Sequence, residues 1–272
     1  MIPLKQVIVS GGFDDLKSRD LRFLEAAAKL GEVTVLLWPD AVLEKLNAPA
    51  PRFPLAERLY FLKAVRHVKE VVIADDSTNF NALPKNLKPR IWADYEPSLR
   101  GDRERFCIAN QIEYRFITAA ELAGFPEPLP MASPPGRKKI VATGCYDWFH
   151  SGHVRFTEEV SAYGDLYVIV GHDANIRLLK GGGHPLLSQE ERRYVVGSIK
   201  YVKQALISSG HGWLDADPEI KMLKPDMYAV NDDGDQGGKR EYCEKLGIEY
   251  LVLKRAPAPG LVQRRSTDLR GF

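Results

Sequence analysis

Short apolar runs rich in β-branched residues alternate along this chain with longer amphipathic stretches. Runs at 7–10, 33–37, 71–73, 91–93 and 114–117 predict strands in the first half. Runs around 139–143, 166–171, 204–208, 227–231 and 249–253 predict a second set. Segments with helical spacing lie between them. The stretch 188–201 opens with Ser188 three residues before Glu191, a capping-box pattern, and sets Tyr194, Val195, Ser198 and Ile199 on one side. Strands alternating with helices predict an α/β fold, with parallel sheets flanked by helices.

The pattern occurs twice. Ser10-Gly11-Gly12-Phe13-Asp14 reads like Thr143-Gly144-Cys145-Tyr146-Asp147, and Gly31-Glu32-Val33-Thr34-Val35 before Asp40 reads like Gly164-Asp165-Leu166-Tyr167-Val168 before Asp173. Glu57-Arg58, Lys88-Pro89, Cys107 and Ile112-Glu113-Tyr114 return in the same order as Glu191-Arg192, Lys224-Pro225, Cys243 and Ile248-Glu249-Tyr250. Two copies of one fold are therefore expected, over 1–125 and 138–272, with the proline-rich stretch 126–137 as a stiff connector.

Composition narrows the class. With 44% apolar and 27% charged residues the chain reads as a soluble globular protein, and a net charge of +2 gives no reason to expect nucleic acid as partner. No apolar run is long enough to span a bilayer and no signal-peptide segment opens the chain, so no membrane insertion and a cytoplasmic location are expected. Three widely spaced cysteines fit neither a disulfide framework nor a zinc site.

The chemistry concentrates after the strand at 139–143. Small residues there let main-chain N–H groups approach phosphate oxygens, and a following helix N-terminus favours negative charge. His150 and His153 stand three positions apart, on one face if the helix has begun, and Gly152 between them keeps that face clear. The stretch Thr143-Gly144-Cys145-Tyr146-Asp147-Trp148-Phe149-His150-Ser151-Gly152-His153 resembles the signature of the HxGH nucleotidyltransferases, and with Cys145 it looks most like the choline- and ethanolamine-phosphate cytidylyltransferases. The resemblance implies two tandem Rossmann-like nucleotidyltransferase domains. It also implies transfer of CMP from CTP to a phosphorylated small-molecule acceptor, with release of pyrophosphate. An adenylyltransferase using ATP and a non-catalytic nucleotide-binding protein are the rival readings.

Further site residues follow from the same resemblance. Thr143, Gly144, Cys145, Tyr146, Asp147 and Gly152 are expected around the nucleotide, with His150, His153 and Lys180 as catalytic residues. Gly181-Gly182-Gly183 beside Lys180 suggests backbone approach to a ligand. Asn231 and Asp232 stand where related proteins carry Gly-Asp, and Asp232 with Asp233 is the candidate pair for Mg²⁺. Ser266 and Thr267, preceded by Arg264 and Arg265, are similar to the cytidylyltransferase Ser-Thr segment that holds nucleotide phosphates. Asp173, His211 and Trp213 are candidates for the acceptor, whereas Lys239 and Arg240 read as surface charge. In the first copy Lys17-Ser18-Arg19-Asp20 replaces the histidine segment, so that copy is expected to be inactive and to serve as scaffold, lid or the surface of a possible homodimer.

Overall fold

The computed structural model describes residues 5–46, 51–75, 81–95, 100–266 and 269. The chain divides into two compact units, Met1–Gly124 and Phe125–Phe272.

The first unit runs β1 (Gln6–Gly11), α1 (Ser18–Ala28), β2 (Glu32–Leu37), α2 (Asp40–Leu46), α3 (Leu55–Ala64), β3 (Glu70–Ile73), β4 (Ile91–Asp94), α4 (Arg100–Ala109) and β5 (Glu113–Phe116). Its sheet is parallel, in the order β3-β2-β1-β4-β5. The second unit runs β6 (Lys139–Gly144), α5 (Ser151–Ser161), β7 (Asp165–Val170), α6 (Asp173–Lys180), α7 (Gln189–Gly197), β8 (Val202–Ile207), α8 (Asp217–Leu223), β9 (Met227–Asn231), α9 (Lys239–Leu246) and β10 (Glu249–Leu253). Its parallel sheet has the order β10-β9-β6-β7-β8, the same topology read from the other edge. Both are Rossmann-like, and the strand order reverses between β1 and β4 in one and between β6 and β9 in the other.

Burial explains the apolar runs. Central strands covered by helices on both faces must be apolar throughout, and Ile140, Val141 and Ala142 of β6 are each fully buried. Val141 packs with Ile169, Ala216, Ile220, Tyr228 and Cys243, while Ile8 packs with Leu87, Trp92 and Cys107 in the first unit. Burial pushes the thiols of Cys107 and Cys243 up to about 11, so both act as small apolar fillers.

Two features differ from the patterning. The helix expected over 188–201 stops at Gly197, and Ile199 and Val202 donate instead to Val196 and Ile199 in a turn that feeds β8. Ser188 does cap α7, accepting the Glu191 amide at 3.2 Å. The proline-rich stretch packs on the second unit: Met131 N–H donates to Lys203 O, and Pro128 lies against Gly197. Among the described residues, no helix is long and apolar enough to cross a membrane.

Candidate active site

β6 delivers the chain into a tight loop. A side chain on Gly144 would come within 2.9 Å of the Tyr146 ring, and Tyr146 itself takes a left-handed φ of 55°. That turn swings the chain back, so that His150 becomes the N-cap of α5. His150 Nδ1 accepts the Gly152 amide at 3.0 Å, and His153 Nδ1 accepts the His150 amide at 3.3 Å. A neutral imidazole that accepts at Nδ1 carries its proton on Nε2, so both rings are set as Nε2–H donors. The two rings lie 4.1 Å apart, and His153 is stacked on Phe149 at 5.2 Å.

Electrostatics favour the neutral form. His150 is 2% exposed, and burial, with Arg255 and Arg264 nearby, lowers its pKa to about 4. His153 is lowered well below the usual value by burial, then by His150, Arg255 and Lys180. Nε2 of His150 has no hydrogen-bond partner among the described residues, an expensive state for a buried donor, and the ring itself lines neither of the two cavities that open next to His153.

Two cavities open beyond the carboxyl ends of β6 and β9, the point where strand order reverses. The smaller, about 180 Å³, is bounded by Thr143, Gly144, Cys145, Tyr146, Gly152, Asn231 and Lys239. The larger, about 600 Å³, brings Lys180, Arg265, Ser266, Asp232 and Gln263 together. His153, Asp233 and Arg255 line both. Thr143 Oγ1 and Tyr228 Oη pair at 2.6 Å near the smaller cavity.

Several expected residues have other work. Asp147 is buried and does not line either cavity: its carboxylate accepts the amides of Leu186 at 2.8 Å and Leu187 at 3.0 Å, closing the glycine-rich loop. Asp14 in the first unit likewise accepts the amides of Arg52 and Phe53 at 2.8 Å, which marks the aspartate as part of the scaffold. Asp173 lines neither cavity and pairs with the buried Arg192 at 2.7 Å. Asp233 pairs with Arg255, and Asp232 accepts the Asp233 amide at 2.9 Å. Among the described residues no cluster of three metal-ligating side chains forms. Asp233 is thus matched by the Arg255 cation and Asp232 by backbone amides.

Of the remaining expected residues, His211, Trp213 and Arg264 line neither cavity. His211 lies edge-on to His172 at 5.4 Å, in a turn pinned by Asn175, which exchanges hydrogen bonds with Gly212 at 2.8 and 2.9 Å. Trp213 is 54% exposed and lies 3.7 Å from where a Gly238 side chain would stand, next to Lys239. Arg264 presents its carbonyl to Arg255 Nη2 at 3.1 Å, and Ser266 Oγ donates to Trp148 O at 3.3 Å. Thr267 lies outside the described residues.

Arg255, which opens the segment resembling the cytidylyltransferase Ser-Thr motif, and Lys239, expected as surface charge, both line the cavities although neither was among the expected site residues. Lys239 is half-buried, its Nζ donates to Gly234 O at 2.6 Å, and burial lowers its pKa. Their signal was position: Arg255 closely follows β10 and Lys239 opens α9, both at the ligand end of the sheet.

At the corresponding place in the first unit, Asp20 accepts from Tyr95 Oη at 2.5 Å and from the Lys17 amide at 2.8 Å. Arg103, four residues before Cys107 as Lys239 is before Cys243, is buried, stacks over Trp92 at 4.1 Å and donates to Ser10 Oγ at 2.8 Å.

Residues 141–260 match the family described as Cytidylyltransferase-like. An FAD synthase from Ferroglobus placidus is 38% identical over 120 residues, which are 43% of this chain and 75% of that protein. The bifunctional protein HldE of Aliarcobacter butzleri is 29% identical over 120 residues, 44% of this chain but only 24% of HldE, so the match spans about a quarter of that relative. Among solved structures, a lipopolysaccharide core biosynthesis protein from Thermoplasma volcanium aligns with a TM-score of 0.38 and 24% identity, over 45% of this chain and 98% of that one.

Proposed function

Because the chain belongs to the cytidylyltransferase-like nucleotidyltransferases, we propose that its second unit transfers a nucleoside monophosphate from a triphosphate to a phosphorylated small-molecule acceptor. An acceptor phosphate oxygen attacks the α-phosphorus, the bond from that phosphorus to the bridging oxygen breaks, and pyrophosphate leaves with the electron pair. The observation that carries this reading is the meeting of His153, Lys180, Arg255 and Arg265 on one cavity at the strand-order reversal. Transfers of this kind depend on positioning and charge stabilisation, which fixed N–H donors and cations supply without a covalent nucleophile. His150 and His153 donate Nε2–H to phosphate oxygens as charge moves onto the leaving group. Lys180, Arg255 and Arg265 neutralise the triphosphate, and Ser266 with Thr267 holds it from the C-terminal segment. A divalent cation, Mg²⁺ by its chemistry, is part of the nucleotide substrate and shields charge on its phosphates.

The Cys145-containing motif supports CTP as the nucleotide. ATP is the second reading, favoured by the similarity to FAD synthases, whose named product is an adenine dinucleotide. The smaller cavity, with Asn231, Lys239 and the Thr143–Tyr228 pair, is where the nucleoside is read. In the first unit, the Asp20–Tyr95 contact and the inserted Arg103 support a non-catalytic role.

Pyrophosphate release with Mg²⁺, testing CTP and ATP against phosphorylated alcohols and sugar phosphates, tests the proposal. Acceptor-dependent release is expected with one nucleotide, reduced by about 10²-fold or more in His153→Ala while nucleotide still raises the melting temperature. Near-wild-type turnover in His153→Ala refutes the assignment.

A further inference from the structure

Arg192 lines neither of the two cavities, yet the segments that lead to the histidine pair and to and from Lys180 are all tied to its guanidinium. The side chain is fully buried. Its Nε donates to Leu187 O at 3.0 Å, its Nη1 to Cys145 O at 2.6 Å, and its Nη2 to Gly171 O at 2.8 Å and to Asp173 Oδ1 at 2.7 Å. Cys145 lies in the loop leading to His150 and His153. Gly171 and Asp173 lead into α6, a helix of eight residues whose last residue is Lys180. Leu187 ends the segment that returns from Gly181-Gly182-Gly183, where an added side chain would meet nothing within 4 Å. The returning end of that loop is held at Leu186 and Leu187 by Asp147 and at Leu187 by Arg192.

We infer that Arg192 is a positioning residue for nucleotidyl transfer, setting the distance between the histidine pair on α5 and Lys180 on α6. The inference rests on the function proposed above. A planar guanidinium satisfies three carbonyls and one carboxylate in fixed directions, which an ammonium on a flexible stem does not reproduce. The first unit carries its own control. Arg58 is equally buried and donates to Phe53 O at 2.9 Å, Gly12 O at 2.5 Å, Trp38 O at 2.9 Å and Asp40 Oδ1 at 2.5 Å. The scaffold is the same, but the loops it ties bear no histidine pair.

Arg192→Lys and Arg58→Lys are therefore compared in the full chain. Both are expected to lower the melting temperature by similar amounts. Only Arg192→Lys is expected to lose kcat, by about 10- to 100-fold, since a shift of about 1 Å in a reacting group costs on the order of 10²-fold. The nucleotide KM should change less than about threefold, because most contacts to the triphosphate remain. Equal kcat in the two variants overturns the inference. Should Arg192→Lys fail to fold, Asp173→Asn reads the same tie while leaving the three carbonyl contacts in place. Tryptic cleavage after the exposed Lys180 gives a readout independent of turnover: faster in Arg192→Lys than in wild type or Arg58→Lys if Arg192 holds the loop, unchanged if it does not. Absence of pyrophosphate release by the wild type with every substrate pair would sink the proposed function, whereas the cleavage rates would still decide what Arg192 does.

Discussion

Replacing Gly152 by alanine places one methyl group against the ring of His150. The added carbon would stand 2.9 Å from Cε1 and 3.0 Å from Nδ1, where ordinary contact begins near 3.4 Å. The ring is 2% exposed and cannot swing into solvent, so it must shift by about 0.5 Å or the first turn of α5 must open. Alanine gains roughly 1 kcal/mol over glycine in a helix, against roughly 1–3 kcal/mol for overpacking. The net cost is about 0–2 kcal/mol, a melting-temperature drop of no more than about 8 °C for a domain of this size. Turnover should suffer more. A displacement of about half an ångström, where about 1 Å costs 10²-fold, predicts a loss of about 10-fold in kcat. Pyrophosphate release at saturating nucleotide, well below the melting temperature, measures it. An alanine variant with kcat within about twofold of wild type would show that the His150 orientation does not limit the reaction.

Other perturbations separate scaffold from chemistry. His150 titrates near 4 in the folded chain and near 6.5 when unfolded, so its contribution, about 3 kcal/mol, is complete above about pH 6.5 and is lost as pH falls towards 4. Chemical denaturation from pH 7 to 4.5 should show that decline, to which His153 and His67, both also lowered by burial, add; His67→Asn should make it shallower, and a flat profile would contradict the burial of these rings. Asp147→Asn should cost about 1–3 kcal/mol through the weakened bonds to Leu186 and Leu187, and Asp14→Asn a similar amount with kcat preserved. Calorimetry with activity assays checks both, and a kcat loss in Asp14→Asn would overturn the non-catalytic reading of the first unit. Chelation of divalent cations should stop turnover yet leave the melting temperature of the nucleotide-free protein within about 1 °C, because Asp232 and Asp233 already have protein partners; a larger fall would reveal a resident metal.

The apolar periodicity and the internal repeat were enough to read the two parallel sheets, since a strand covered on both faces must be apolar along its length. Local chemistry was legible too: His150, Gly152 and His153 are near neighbours in sequence, and a helix start leaves few ways to arrange them. What the linear order hides is which polar groups meet across the fold. Asp147 and Asp173 look like ligand residues because acids after strands often are, yet one ties Leu186 and the other Arg192. Arg192, legible along the chain only as half of the repeated Glu-Arg pair, is fully buried where three carbonyls from separate loops converge on it. Arg255 joins the site only because β10 ends beside β9. Sequence alone determined the fold class and the local motif, where spacing dictates geometry. The tertiary structure decided which charges were spent on holding loops together and which were left facing a cavity, because burial and long-range pairing depend on contacts that no local spacing encodes.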